Sequence, residues 1–461
     1  MKVLFAASEC APFVKSGGLG DVIGALPSVL NKYGADARVI LPKYSTIPKE
    51  FTDRMKNIEF FEVELGWRKL YCGILELEHE GVHYYFVDNE YFFKRPELYG
   101  YDDDCERFAF FSKAILKFVK GSKTYTPDVI HCNDWHTGLI PLFKREIFGQ
   151  NKKLEAIKTV FTIHNIKHQG IFNKYWFGDL LGLYGIEKAW KTLEMNGSIN
   201  YMKAGIIKAD RVTTVSPTYS KEITNSYYGE GLESVIASLD QEVTGILNGI
   251  NYKHVDFDKG KTKAQLQEKM GFEIRDDVPL ITMISRLTAQ KGLDLVAHVM
   301  DELAMEDVQM IFLGSGEAHY ENMLKHFESR YPKNVKSILS FDEELAEKLY
   351  MGADIFLMPS YFEPCGISQL LAMQYGTIPI ARETGGLLDT VIPYNHYTGE
   401  GTGFSFSNIN AHEFLFTIKR ALDVYKNDKP AWRKLKRTAA ATEFSWNKSA
   451  EEYMRLYESI T

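Results

Sequence analysis

The opening of the chain constrains its fold more than any other stretch. Residues 3–7 form a short apolar run of the kind that is buried in a parallel sheet. Lys15-Ser16-Gly17-Gly18-Leu19-Gly20-Asp21 follows, and Val22, Leu26, Val29 and Leu30 then recur at helical spacing. Strand, glycine loop and helix in that order can present backbone N–H groups to an anion. Gly17, Gly18 and Gly20 are expected to take positive φ and to let the main chain approach a ligand. The helix N-terminus adds partial positive charge, and Lys15 puts a full charge at the mouth of the loop. This predicts a site for a phosphorylated or sugar-nucleotide ligand, against the alternative of a tight turn with a surface lysine. The loop is not a dinucleotide fingerprint, because after Gly18 and Gly20 the next glycine, Gly24, comes one position late. Without a Gly-Lys-Ser/Thr ending it is not a P-loop.

Similar units recur. Strands are expected over 37–41, 129–132, 159–163 and 211–215, and in the second half over 280–284, 310–313, 355–358 and 378–381. Helical patterns over 108–118, 293–303 and 345–351 lie between strands. Residues 60–65, 70–77 and 82–87 alternate as β, with a hairpin step at Glu80-Gly81, and read as a β insertion. Asn248-Gly249-Ile250-Asn251 and the lysine-rich helix 259–270 mark a domain boundary. The expected class is α/β: two doubly wound domains facing across a cleft, over 1–248 and 249–440. A C-terminal helix within 441–461 is expected to pack back on the first.

Polar clusters fall just past predicted strand ends, where open parallel sheets bind ligands. Asn133-Asp134-Trp135-His136 and His164-Asn165 are two of them. A lone histidine is usually structural, but two, each beside Asn or Asp at a strand end, point to a site. Arg286 and Lys291 flank the loop after 280–284, a placement suited to a diphosphate or to a solvated loop with unrelated charges. In Pro359-Ser360-Tyr361-Phe362-Glu363-Pro364-Cys365-Gly366-Ile367, Glu363 is a carboxylate at a rigid turn, or else a surface glutamate. Thr384-Gly385-Gly386 can bring N–H groups to the same strand ends. Asp102-Asp103-Asp104 reads as a solvated helix N-cap rather than a metal site.

The 461 residues are 45% hydrophobic and 25% charged, an ordinary globular balance. A net charge of −7 argues against nucleic-acid or anionic-membrane partners, so an anionic ligand must be held by local cations. The five cysteines show no C-x-x-C spacing, which fits reduced thiols in a cytoplasm and no zinc site. No apolar run suits a signal peptide or a membrane span.

The stretch from Lys15 to Asp21 resembles the N-terminal signature of bacterial glycogen synthases and plant starch synthases. Glu363-Pro364-Cys365-Gly366 is similar to their second signature, and Arg286 and Lys291 match the family's phosphate-binding pair. Asp134, His136, His164 and Asn165 match its glucose-side motifs, Asn248-Gly249-Ile250 its hinge, and Thr384-Gly385-Gly386 its last glycine loop. The matches run from Lys15 to Gly386 in the family's order. Many retaining enzymes of the wider class carry a second Glu eight residues after the first, here Leu371; this chain instead has Gln369, as glycogen synthases do.

The resemblance implies the GT-B architecture of two Rossmann-like domains, no metal and no cofactor. It implies retaining transfer of glucose from ADP-glucose to the non-reducing 4-hydroxyl of an α-1,4-glucan, either glycogen or a maltooligosaccharide. Lys15, Arg286, Lys291 and the Gly18 N–H would stabilise the leaving diphosphate, with the leaving phosphate helping to deprotonate the acceptor. Glu363 would orient the glucose hydroxyls, and His164, Asp134 and Asn248 would hold the sugar. Asp21, His136, Asn165, Cys365, Gly366, Thr384, Gly385 and Gly386 would line the substrate site. The rival readings are another retaining GT-B nucleotide-sugar transferase, a glucan phosphorylase, or an inactive glucan-binding homologue.

Overall fold

A computed structural model describes residues 1–252 and 255–461. The chain divides into two compact units, Met1–Gly249 with Trp446–Thr461, and Ile250–Ser445.

The first unit is built on β1 (Lys2–Ala6), β2 (Asp36–Pro42), β3 (Lys56–Leu65), β4 (Arg68–His79), β5 (Val82–Asp88), β6 (Val129–Asn133) and β7 (Lys158–Ile163). It continues through β8 (Ile171–Asn173), β9 (Glu194–Met195), β10 (Ser198–Asn200), β11 (Arg211–Thr214) and β12 (Thr244–Gly245). Nine of these strands form one sheet in the order β12-β11-β7-β6-β1-β2-β5-β4-β3. The β-rich segment is therefore no separate insertion. β5 pairs in parallel with β2, and β4 and β3 extend the same sheet antiparallel. Glu80 and Gly81 take φ of 48° and 77°, two left-handed residues in a row, which matches the right-handed twist of the hairpin they join. The small sheet β8-β10-β9 went unpredicted because strands of two or three residues carry no periodicity.

Helix α1 (Gly18–Lys32) buries Val22, Leu26, Val29 and Leu30 against the sheet, as its spacing predicts. The helix Trp446–Glu458 belongs to this unit by its packing. Tyr453 and Tyr457 are buried in the first core, and the Tyr457 hydroxyl meets His131 Nδ1 at 2.7 Å.

The second unit carries β13 (Leu280–Ile284), β14 (Gln309–Leu313), β15 (Val335–Ile338), β16 (Ile355–Met358), β17 (Ile378–Arg382) and β18 (Phe404–Phe406). They form a parallel sheet in the order β15-β14-β13-β16-β17-β18. The apolar central strands were legible, whereas the edges β15 and β18 were not: one is half-buried and polar, the other three residues long.

In both sheets the first strand lies inside, and the chain winds away from it in two directions. The order reverses between β1 and β6 in one unit and between β13 and β16 in the other. A crevice opens at such a switch point, at the carboxyl ends of the strands.

Candidate active site

At the β13/β16 switch point, Lys291 and Glu363 meet. Lys291 Nζ donates to Glu363 Oε2 at 2.6 Å, and Ser360 Oγ donates to the same oxygen at 3.1 Å. Glu363 is 7% exposed, so it is not a surface glutamate. Its loop is held from three sides. The Tyr361 N–H donates to Gln290 O at 2.8 Å, and Gln290 Nε2 returns a bond to Phe362 O at 3.2 Å. Arg382, at the end of β17, donates to Ser360 O at 2.9 Å, to Ser407 O at 3.1 Å and to Tyr361 O. The Gly386 N–H donates to Glu363 O at 3.1 Å and Pro364 O at 3.2 Å.

That last contact bears on one residue of the expected loop Thr384-Gly385-Gly386. The Gly386 N–H is taken up by the neighbouring loop and is not offered to a ligand. Both glycines are needed for space, since a Cβ on Gly385 would lie 2.0 Å from Glu363 O and one on Gly386 2.1 Å from Cys365 O, and Gly385 also takes a left-handed φ of 46°. Gln369 is fully buried, and its amide donates to Cys365 O at 3.1 Å, Gly366 O at 3.0 Å and Thr390 Oγ1 at 3.2 Å. It thus braces Cys365 and Gly366 from behind. Arg286 lies exposed on the loop after β13. Among the described residues no carboxylate pairs with it.

At the β1/β6 switch point the glycine loop differs from the prediction in two ways. None of Gly17, Gly18 and Gly20 has positive φ. Gly17 is extended (φ −162°), a conformation open to any residue, while Gly20 is needed for space, since its Cβ would lie 2.5 Å from that of Lys15. The loop's N–H groups are also partly occupied. Glu9 Oε2 accepts from the N–H of Ser16 at 2.5 Å and of Gly17 at 3.2 Å. Beyond it α1 begins at Gly18, so the N–H groups of Gly18, Leu19 and Gly20 have no intrahelical acceptor. Lys15 pairs with Asp21 at 3.1 Å, both about two-fifths exposed, so this is a loose solvated pair that a ligand can displace.

The ends of β6 and β7 are joined by side chains. Asn133 Nδ2 donates to Ala6 O at 3.1 Å and His131 O at 3.0 Å, which turns its oxygen to His164 Nε2 at 2.9 Å. His164 therefore carries its proton on Nε2 and keeps a lone pair on Nδ1. Burial pushes its pKa down to about 3. Asp134 Oδ1 accepts from the His164 N–H at 2.8 Å. Its backbone sits at φ 56°, ψ −180°, a strained conformation for a residue with a side chain, of the sort that collects at functional sites. His136 is buried between Trp135 and Tyr99, ring centroids 4.0 and 4.4 Å away, with no partner for either ring nitrogen. Asn248 Oδ1 is likewise buried without a partner. Asn165 lies half-buried beside His164, its side-chain oxygen accepting from the Lys167 N–H at 3.1 Å.

In the acidic run Asp103 and Asp104 are held by arginines and cap no helix through a side chain. Asp103 sits at the N-cap position without such a bond and pairs with Arg95 at 2.5 Å, while Asp104 pairs with buried Arg107 at 2.6 Å.

The family described as "Starch synthase catalytic domain" matches residues 2–238, and that described as "Glycosyl transferases group 1" matches 265–438. A glycogen synthase of Desulfitobacterium hafniense is 50% identical, covering 100% of this chain and 99% of its own. One from Bacillus subtilis is 48% identical, covering 100% and 98%. The chain belongs to the glycogen and starch synthase family. Among solved structures, the catalytic domain of starch synthase IV from Arabidopsis thaliana, bound to ADP and acarbose, superposes with a TM-score of 0.89. It is 31% identical and covers 99% of this chain and 98% of its own. A sucrose-phosphate synthase from Thermosynechococcus elongatus, 18% identical, shares the fold at a TM-score of 0.63 over 100% of this chain and 98% of its own.

This member of the family is thus a glycosyltransferase with glycogen synthase activity and two Rossmann-like domains of the GT-B architecture. It takes sugar from a nucleotide-sugar donor and adds it to a glucan. No helix among the described residues is long and apolar enough to cross a membrane. Glu9, Gln290 and Arg382 escaped the sequence reading. Glu9 had one usable signal, an acid within an otherwise small and apolar run just past a strand end.

Burial raises the Asp134 carboxyl to about 7, and the His164 and Asn165 N–H groups oppose that rise only in part. Its charge therefore changes near neutrality. The pH profile of kcat/KM should show an inflection close to pH 7 that Asp134→Asn removes. Because the folded pKa is raised, this group's stabilising contribution is complete below its unfolded pKa of about 4 and is lost as pH rises through about 7. The calorimetric transition of the first unit should fall in the wild type relative to Asp134→Asn over that window. Parallel curves would show that Asp134 does not titrate there.

Proposed function

We propose that the chain transfers glucose from ADP-glucose to the non-reducing 4-hydroxyl of an α-1,4-glucan, with retention and in the cytoplasm. One observation carries this reading: a cation and a buried carboxylate 2.6 Å apart at the β13/β16 switch point. A nucleotide sugar has an anionic diphosphate bonded directly to a hydroxylated ring, so its site needs a cation beside a hydrogen-bond acceptor. Lys291 fits the first need and Glu363 the second. The ADP in the related starch synthase structure supports adenine as the base.

In this unit Arg286 and Lys291 neutralise the charge that grows on the leaving diphosphate, an electrostatic stabilisation strongest where water is excluded. Thr384, Cys365 and Gly366 shape the wall around them. In the first unit Lys15 and the N–H groups from Gly18 onward supply positive charge of the same kind, with Asp21 as the carboxylate Lys15 leaves. His164, through its Nδ1 lone pair, and Asp134, Asn165 and Asn248 hold sugar hydroxyls. The unpartnered nitrogens of His136 are open to the same use. The departing phosphate accepts the proton of the acceptor hydroxyl on the face from which it leaves.

A glucose-incorporation assay with ADP-, UDP- and GDP-glucose on glycogen tests the reading; no turnover with ADP-glucose would overturn it. Cationic side chains take the role that a divalent ion fills in other transferases. Among the described residues no group of three or more His, Cys, Asp or Glu is placed to hold a metal. Transfer is therefore expected to survive EDTA; loss of activity restored by magnesium or manganese would show that the side chains do not suffice.

A further inference from the structure

We propose that Glu9 is a positioning residue that sets the aim of the Lys15–Gly18 loop. The proposal rests on the reading of that loop as part of the donor site. Glu9 lies past the carboxyl end of β1 and is 4% exposed. A carboxylate offers roughly four acceptor positions, and four donors meet this one. They are the N–H of Ser16 (2.5 Å), the N–H of Gly17 (3.2 Å), Ser16 Oγ (2.9 Å) and the Tyr99 hydroxyl (2.7 Å). Tyr99 is itself fixed, bonded to Ser8 Oγ at 2.8 Å and packed at a tilt against the His136 ring.

A loop of glycines by itself has no preferred aim, since glycine loses more backbone freedom on ordering than any other residue. Glu9 supplies the missing constraint. It turns two N–H groups inward and so leaves Gly18, Leu19 and Gly20 as the unsatisfied donors, next to Lys15. A phosphate is thereby directed to the start of α1 and away from Ser16 and Gly17, where it would meet the Glu9 carboxylate. Glu9 acts through the loop, so its loss should weaken donor binding and leave the chemical step nearly intact.

The test compares Glu9→Ala, Glu9→Gln and Lys15→Ala in the full chain by two readouts. One is amide hydrogen exchange of residues 15–20; the other is kcat and donor KM with ADP-glucose and glycogen. Glu9→Ala should speed exchange and raise donor KM roughly tenfold to a hundredfold, the worth of charge-assisted hydrogen bonds, with kcat within a few-fold of wild type. Glu9→Gln should recover most of the KM, because its carboxamide oxygen accepts the two N–H groups and its NH2 donates to the hydroxyls. Unchanged exchange in Glu9→Ala would overturn the proposal whatever the donor. So would a glutamine variant as impaired as alanine, or faster exchange with an unchanged KM while Lys15→Ala raises it. If neither Glu9→Ala nor Lys15→Ala moves the donor KM although exchange quickens, the donor reading of the loop fails instead, and the positioning role with it. Should Glu9→Ala not fold, Tyr99→Phe and Ser16→Ala each remove one donor to the same carboxylate. Each should then raise KM a few-fold, and no change in either would overturn the proposal.

Discussion

Lys291→Ala is expected to lower kcat/KM for the nucleotide-sugar donor by about a hundred- to thousandfold. Two losses combine. On the proposed reading the variant lacks a positive charge beside the leaving diphosphate, and it strands Glu363. The two side chains are 17% and 9% exposed, and their atoms lie 2.6 Å apart. Breaking a buried ion pair by removing one partner costs about 3–5 kcal/mol, of which each 1.4 kcal/mol is tenfold in rate where the group acts in the transition state. Among the described residues the stranded carboxylate keeps Ser360 Oγ as its side-chain donor. The Glu363→Ala single variant and the double variant complete a cycle. The double loss should be much smaller than the product of the single losses, because once one member is gone the other has lost its partner. Strict additivity would mean that the two residues do not act as a pair.

Lys263→Ala is expected to give the largest loss of stability, centred on the second unit. Lys263 Nζ pairs with Asp354 Oδ2 at 2.8 Å, both side chains under 10% exposed. It also donates to Val278 O at 2.5 Å, Asp276 O at 3.1 Å and the Tyr425 hydroxyl at 3.1 Å. Asp354 in turn accepts from the Leu280 N–H at 2.9 Å. The cluster ties the helix Lys259–Lys269 to the starts of β13 and β16. Alanine leaves a buried carboxylate and two carbonyls without their cation, at a cost of about 3–5 kcal/mol. With two units a single midpoint is not well defined, so the measurement is the calorimetric transition of the second unit. The cluster sits at the amino ends of the strands, opposite the candidate site. Donor KM at a temperature where the variant is folded should therefore stay unchanged. A large shift in KM with little change in melting would reverse this assignment.

The central strands could be read from the sequence because their signal is local. Residues 280–284 and 355–358 are apolar runs of strand length, and they are β13 and β16 to the residue. Strand ends locate loops, so Asp134, His164, Arg286 and Glu363 are legible as candidates in the sequence alone. The amphipathic face of α1 was equally visible, since helical spacing needs only neighbours in the chain.

The pairings could not be read, because they depend on strand order. Lys291 meets Glu363 across 72 positions of chain because β13 lies beside β16. Glu9 receives Tyr99 across 90 positions for the same kind of reason, and Arg382 reaches Ser360 because β17 adjoins β16. Glycine shows the contrast most sharply. Its presence at 17, 18, 20, 385 and 386 is plain in the sequence, but whether it serves φ, space or a free N–H is decided by what packs against it. Gly20 makes room for Lys15, and Gly385 and Gly386 make room for the Glu363 loop. The sequence by itself determined the elements, the loops that carry chemistry and the types of side chain in them, because those follow from local pattern. Only the tertiary structure decided which charges are paired and which N–H groups remain for a ligand, because hydrogen bonds and ion pairs act over about 3 Å in space, whatever the separation along the chain.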